Sequence, residues 1–336
     1  MAALNLKPGS ILDGRFLLTE VLGQGGMATI FKAQDLDRDR VWVAVKVLLP
    51  LFSSGLGAWS VFQREEEIGR GLEHPYVLKY VGLPEDRRRS YIVTEFVPGK
   101  SIAARLREER PLGEREAIAI GARVCQALEH VHEQGIVHYD IKPANVMLCD
   151  DGTIRLIDFG LAHKAVAKRF TFGAGPPAMG SVDYVAPEQI QRKRGRKSVD
   201  IYGLGAMLYE MLTGSAPFPG DDPYVVASTR ILGDPPAPRT LNSLISPQAE
   251  DVVLRALRRN PAERYPTVAA MRADLEHLDR MQMGGYSQRL QPVTRWRRWL
   301  RIARYVGTVG LLPVLVQVLL FFLLWHHLAS KHLPGR

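Results

Sequence analysis

His138-Tyr139-Asp140-Ile141-Lys142-Pro143-Ala144-Asn145 runs into the apolar Val146-Met147-Leu148, and beyond the strand-like residues 154–157 stands Asp158-Phe159-Gly160. Taken singly, each of these polar residues reads equally well as a turn or capping residue. Taken together and in this order they are the parts that phosphoryl transfer asks of a protein, namely a positioned nucleophile, charge neutralisation and metal ligands. Asp140 is suited to accept the proton of a substrate hydroxyl, and Lys142 to neutralise charge on the moving group. Asn145 and Asp158 offer hard oxygen ligands for Mg²⁺, and Mn²⁺ fits the same donors.

Upstream of this stretch the pattern is β-rich. Residues 16–21, 28–34, 42–48 and 91–96 read as strands separated by turn residues. Between the first two lies Gly23-Gln24-Gly25-Gly26-Met27-Ala28-Thr29-Ile30, whose glycines would let backbone N–H groups approach phosphate oxygens. Alone it reads as well as a hairpin, and no helix follows it, which argues against a dinucleotide-binding fold. Lys46 ends the apolar run Val43-Ala44-Val45. A lysine buried there needs an anion, because an unpaired buried charge is costly. A nucleotide phosphate would serve, and so would a carboxylate on the helix expected over 61–72. Of Glu65-Glu66-Glu67, Glu65 is favoured by its place nine residues before His74. The plainer alternative leaves Lys46 in solvent at a strand edge. Downstream, apolar spacing marks helices over 114–134, 200–213, 247–259 and 267–278.

These motifs, with Ala186-Pro187-Glu188, Asp200 and Arg264 in Asn260-Pro261-Ala262-Glu263-Arg264, resemble a protein kinase of the Ser/Thr type. The Gly25-Gly26-Met27-Ala28 wording is similar to bacterial membrane-anchored, receptor-type kinases. The resemblance covers about 14–279 and implies a two-lobed α+β fold, with a small β-rich lobe (14–97) and a larger helical one (98–279). It implies ATP and Mg²⁺, and protein substrates bearing Ser or Thr. Lys46, Glu65, Asp140 and Lys142 become catalytic, and Asn145 and Asp158 metal ligands. Leu22, Gly23, Gln24, Gly25, Gly26, Met27, Ala28, Thr29, Ile30, Ala44, Lys46, Glu95, Val97 and Met147 become the nucleotide contacts. Thr94 takes the gatekeeper position. Glu188 and Arg264 are implied as a buried ion pair, and Asp200 as a brace for the catalytic loop. Three positions depart from the family pattern. Ile30 replaces a valine, Ser181 a threonine, and Tyr139 the arginine that usually grips a phosphorylated activation loop. No charged catalytic position is lost. The competing expectation is a membrane-tethered pseudokinase scaffold.

Charge separates the tail from the rest. Residues 289–336 carry eight Lys and Arg and no acid, leaving 36 of the 44 basic residues against 35 acidic ones elsewhere. The basic excess therefore gives no reason to expect nucleic acid as a partner and points to a membrane. Residues 280–304 read as a linker and basic juxtamembrane segment. Residues 305–325 are uncharged and long enough to span a bilayer, with Trp296, Trp299, Tyr305 and Trp325 suited to its interfaces. Five arginines precede the span, so the kinase-like part should be cytoplasmic, at a bacterial inner membrane, and 326–336 should form a short extracytoplasmic tail. Membrane lipid is thus an expected partner, and pairing with a second copy is left open. Cys125 and Cys149 show neither metal nor disulfide spacing.

Overall fold

The computed structural model describes residues 6–26, 28–49, 56–83, 91–164, 182–191 and 196–291, together with Gln317. Met27, Thr171, Ser181 and the remainder of the expected span 305–325 lie outside the described residues. Among the described residues no helix is long and apolar enough to cross a membrane.

The small lobe is an antiparallel sheet of five strands in chain order, β1 (Ile11–Leu12), β2 (Phe16–Gln24), β3 (Ala28–Asp35), β4 (Val41–Leu48) and β5 (Tyr91–Glu95). Its core is Phe16, Leu18, Phe31, Val43, Val45 and Val93 with their neighbours. Burying a valine or phenylalanine stabilises by about 1.5–3 kcal/mol, and a one-residue slip would turn all of them to the wrong face. The register of β4 is fixed by that core. Because side chains alternate along a strand, Ala44 and Lys46 must lie on the face opposite Val43, Val45 and Val47. Helix α1 (Leu56–Arg70) follows, starting five residues earlier than its apolar spacing suggests.

The large lobe packs α3 (Glu114–Glu133), α5 (Ser198–Thr213), α8 (Pro247–Ala256) and α9 (Val268–Glu276) around one core. Helix α5 is buried nearly all round, as its mostly apolar sequence requires. A three-stranded sheet of β6 (Gly99–Ser101), β8 (Val146–Cys149) and β9 (Ile154–Leu156) lies toward the small lobe. The short pair β7 (Ile136–Val137) and β10 (His163–Lys164) completes the strands. Gly203 lets α5 pass beneath the catalytic loop, since a Cβ there would sit 2.9 Å from the Ile141 carbonyl oxygen.

Three further helices escape the sequence reading: α2 (Ile102–Glu108), α6 (Pro223–Leu232) and α7 (Pro238–Leu241), as does the one-turn α4 (Pro187–Ile190). In α6 the β-branched Val225, Val226 and Thr229 argue against a helix. Asp222 starts it regardless, accepting from the Tyr224 and Val225 N–H groups with proline at the first helical position. The compact unit extends to Leu290, and within the stretch expected as linker Asp251 on α8 accepts the N–H groups of Gly284 at 2.6 Å and Tyr286 at 2.9 Å.

Candidate active site

Lys46 reaches across from β4 to α1, where its ammonium meets both oxygens of Glu65 at 2.8 Å. It also lies 3.6 Å from Asp158 Oδ1. Burial works to lower the Lys46 pKa, but Asp158 and Glu65 outweigh it and hold it above its ordinary value. Burial is also the largest influence on Glu65 and raises it, with Lys46 pulling the other way. Asp158 is held below the usual carboxylate range. The surrounding protein desolvates it and would raise it, yet Lys46 and the Gly160 N–H prevail. Its side chain keeps 43% of its exposure, so the carboxylate is ionised and open toward a ligand.

The catalytic loop runs from β7 to β8 and closes with a 3₁₀ turn at Pro143–Asn145. Lys142 Nζ donates to Asp140 Oδ2 at 2.6 Å, and Asn145 Nδ2 donates to the same oxygen at 2.9 Å and to the Asp140 carbonyl at 2.8 Å. Both side-chain bonds fall on Oδ2, which leaves Oδ1 to accept from a substrate. Because its Nδ2 is committed to Asp140, Asn145 presents its amide oxygen as the remaining donor to a cation. The two aspartates have different surroundings: Asp140 is tied to its own loop, and Asp158 faces Lys46.

Tyr139 and Asp158 adopt φ of 67° and 65°, left-handed values that only glycine takes without strain. The first is held by Asp200. Its Oδ1 accepts the Tyr139 N–H at 2.8 Å, and its Oδ2 accepts the His138 N–H at 2.9 Å and meets His132 Nε2 at 2.8 Å. Gln189 Nε2 donates to the Tyr139 carbonyl at 3.2 Å, so α4 braces the same turn. Glu188 beside it forms a two-pronged ion pair with Arg264 at 2.6 and 2.7 Å. The fully buried Arg230 donates to the carbonyls of Asp183 and Val185, fixing the segment that leads into α4. Sequence reasoning missed His132, Gln189 and Arg230. None carries a motif, and each works through a partner 45 to 68 residues away.

The phosphate-loop glycines are not required by the protein itself. A Cβ on Gly23 or Gly26 would meet nothing within 4 Å, one on Gly25 only the Ala28 carbonyl oxygen at 3.6 Å, and none of the three has positive φ. Their lack of side chains therefore fits space kept for an incoming group. Leu22 and Ile30 remain 44% and 37% exposed, an apolar surface available to a flat ring. Ala44 on β4 and Met147 on β8 are half-buried, and Thr94 is buried at the end of β5. The Glu95 side chain turns away to accept from the Lys79 N–H and Arg155 Nε. The Glu95 backbone remains available to a ligand, and Val97 is half-buried beyond it.

Residues 16–275 match the protein kinase domain family. The chain is 37% identical over 268 residues to "Serine/threonine-protein kinase PknB" of Mycolicibacterium smegmatis, covering 79% of this chain and 43% of that protein. It is 36% identical over 270 residues to "Serine/threonine-protein kinase PknB" of Mycobacterium tuberculosis, with the same coverage of both. It is 34% identical over 270 residues to "Probable serine/threonine-protein kinase CPE1738" of Clostridium perfringens, covering 80% of this chain and 39% of that protein. The match thus spans less than half the length of these relatives.

Proposed function

The chain belongs to the protein kinase family, and on that premise we propose that it transfers the γ-phosphoryl group of ATP to Ser and Thr hydroxyls of proteins. The observation that supports this best is the linkage of Asp140, Lys142 and Asn145 on one loop, facing a cleft in which Lys46 bridges Glu65 and Asp158. Asp140 Oδ1 receives the hydrogen of the substrate hydroxyl as its oxygen attacks. Lys142, whose ammonium already rests on Asp140 Oδ2, balances charge gathering on the transferred group. Lys46, aimed by Glu65, contacts the phosphates that remain with the nucleotide. The Asn145 amide oxygen and the Asp158 carboxylate would hold the divalent metal, which neutralises the phosphate oxygens. Ala44 and Met147 enclose the adenine ring, with Leu22 and Ile30 over its edge.

We further propose that residues 305–325 anchor the chain in a membrane with the kinase domain on the cytoplasmic side. The support is the uncharged run itself and the arginines that precede it. The pseudokinase scaffold is not favoured, since every charged group the transfer calls for is present.

The test is phosphate incorporation from labelled ATP into a general protein substrate, with Asp140→Asn beside wild type. Asp140→Asn should lose nearly all turnover; activity equal to wild type would overturn the assignment. The anchor is tested by fractionation, where release by salt alone would mean that the segment does not span.

A further inference from the structure

Arg230, in the last turn of α6, is 0% exposed and the largest completely buried side chain among the described residues. It lies between aromatic rings, its guanidinium carbon 5.3 Å from the Phe218 centroid and 5.7 Å from that of Tyr202 on α5. Taking a guanidinium out of water is costly unless its nitrogens are answered, and Nε has no hydrogen-bond partner among the described residues. An apolar side chain of similar length would fill the same space without that cost. What arginine alone does there is span two backbone carbonyls. Nη1 donates to Val185 at 2.8 Å and Nη2 to Asp183 at 2.6 Å. A lysine ammonium is a single point of charge and cannot match the fork.

Those carbonyls belong to a strip, residues 183–186, that adjoins the catalytic loop. One side-chain amide joins the two: Gln189 Oε1 accepts the Ala186 N–H at 2.9 Å while its Nε2 donates to the Tyr139 carbonyl at 3.2 Å. Tyr139 is the residue before Asp140. The Tyr184 hydroxyl donates to Glu210 of α5 at 2.5 Å, which ties the middle of the strip to the large lobe. Asp183, Tyr184 and Val185 are half-buried, so the strip keeps a surface of its own. ATP, on the kinase reading, takes the cleft that Lys46 faces. A polypeptide that brings its hydroxyl to Asp140 must rest its flanking residues outside that cleft, on what adjoins the catalytic loop, and this strip does.

We propose that Arg230 is a positioning residue for the protein substrate, setting through the carbonyls of Asp183 and Val185 the backbone on which the substrate chain rests beside Asp140. This rests on the kinase reading above and adds that the acceptor is held as a polypeptide, on a surface separate from the nucleotide's. Arg230 touches neither reactant, and its influence passes to one of them alone.

The test uses the full chain in detergent, as wild type, Arg230→Met and Arg230→Lys, with myelin basic protein as acceptor. The readouts are kcat, KM for that protein, KM for ATP, the affinity for ADP with Mg²⁺, and the thermal midpoint. Arg230→Met keeps a long side chain and loses both donors. Its KM for the acceptor should rise at least about tenfold, the factor one hydrogen bond to a charged group carries, while KM for ATP and ADP affinity stay within about twofold. Arg230→Lys keeps the charge without the fork and should fall between Arg230→Met and wild type. An unmoved acceptor KM in both variants would overturn the proposal, as would parallel rises in the acceptor and ATP values, the sign of general loosening. So would a lower kcat with both KM values unchanged, which a smaller folded fraction produces. If the thermal midpoint shows that Arg230→Met does not fold, Arg230→Lys decides by the same comparison. A wild type that transfers no phosphate to the acceptor would overturn the kinase reading and this proposal with it; an active wild type whose variants keep its acceptor KM would overturn the proposal alone.

Discussion

Replacing Asp200 by asparagine removes one charge and leaves the size unchanged. The carboxylate is fully buried and uses both oxygens on backbone N–H groups, those of His138 and Tyr139. An amide has one oxygen, so one of those N–H groups would face an NH₂ instead. The variant loses a charge-assisted hydrogen bond and strands a buried donor, together about 3 kcal/mol. The stranded turn also contains Tyr139 at a φ of 67°, which costs a non-glycine residue about 1–2 kcal/mol. A shift of about 3 kcal/mol is roughly a hundredfold in the population of the ordered loop, so kcat should fall about that much. Glycine at 139 removes the backbone strain, and in a Tyr139→Gly background the same change should cost only about tenfold. The assay is steady-state phosphorylation by all four proteins of the cycle, with thermal midpoints to establish that each is folded. Equal losses in both backgrounds, or no loss in either, would refute the view that Asp200 holds a strained turn.

Lys46→Met should lose at least about a hundredfold in turnover, the scale of removing one electrostatic stabiliser, as a labelled-ATP assay would show. Arg264→Met should destabilise by about 3–5 kcal/mol because it leaves Glu188 buried and unpaired. Adding Glu188→Leu should restore part of this in denaturant unfolding, but not all, since Arg264 also donates to the carbonyls of Ser198, Arg258 and Arg259. Asp35 has its pKa lowered below 3.8, chiefly by its hydrogen bonds to Arg15. Its contribution to stability is therefore complete above that value and fades as pH falls through the folded pKa. The stability gap between wild type and Asp35→Asn should accordingly narrow as unfolding is measured from about pH 5 down to about pH 2.

What the sequence made legible follows from how far each interaction reaches along the chain. Asp140, Lys142 and Asn145 meet one another within a single turn, so their spacing already describes their geometry. The face of Lys46 follows from strand alternation, and its partner from helical placement of Glu65. His132 does not stand out in this way. His132 looks like a surface histidine near a helix end until Asp200 is placed beside it. The loop at Gly284 and Gly285 has linker composition, yet Asp251 captures its backbone. Composition records the propensity of a segment and not the distant carboxylate that overrides it.

The tyrosine at 139 changes what activation can mean here. An arginine in this place would project a positive charge from the catalytic loop toward a phosphate on the activation segment, and that pairing would order both. Tyr139 has no charge to offer, and its ring packs against the large-lobe core. Its backbone is already secured, with the N–H on Asp200 and the carbonyl on Gln189 of α4. Glu188 in that same helix is locked to Arg264. The loop and the end of the activation segment are thus braced by bonds that need no phosphate. Thr171, between Leu161 and Glu188, is the favoured phosphosite of the segment by sequence, since Ser181 is expected to serve the catalytic loop. Lys164, Lys168 and Arg169 are near it in sequence and could pair with a phosphate, but they belong to the activation segment itself and would give less purchase on the catalytic loop. Turnover on an external peptide should therefore survive both Thr171→Ala and phosphatase treatment of the wild type with most of its rate. If both treatments abolish most activity and rephosphorylation restores it, then a switch operates through some other cation, and the bracing by Asp200 and Gln189 is insufficient to hold the loop ready.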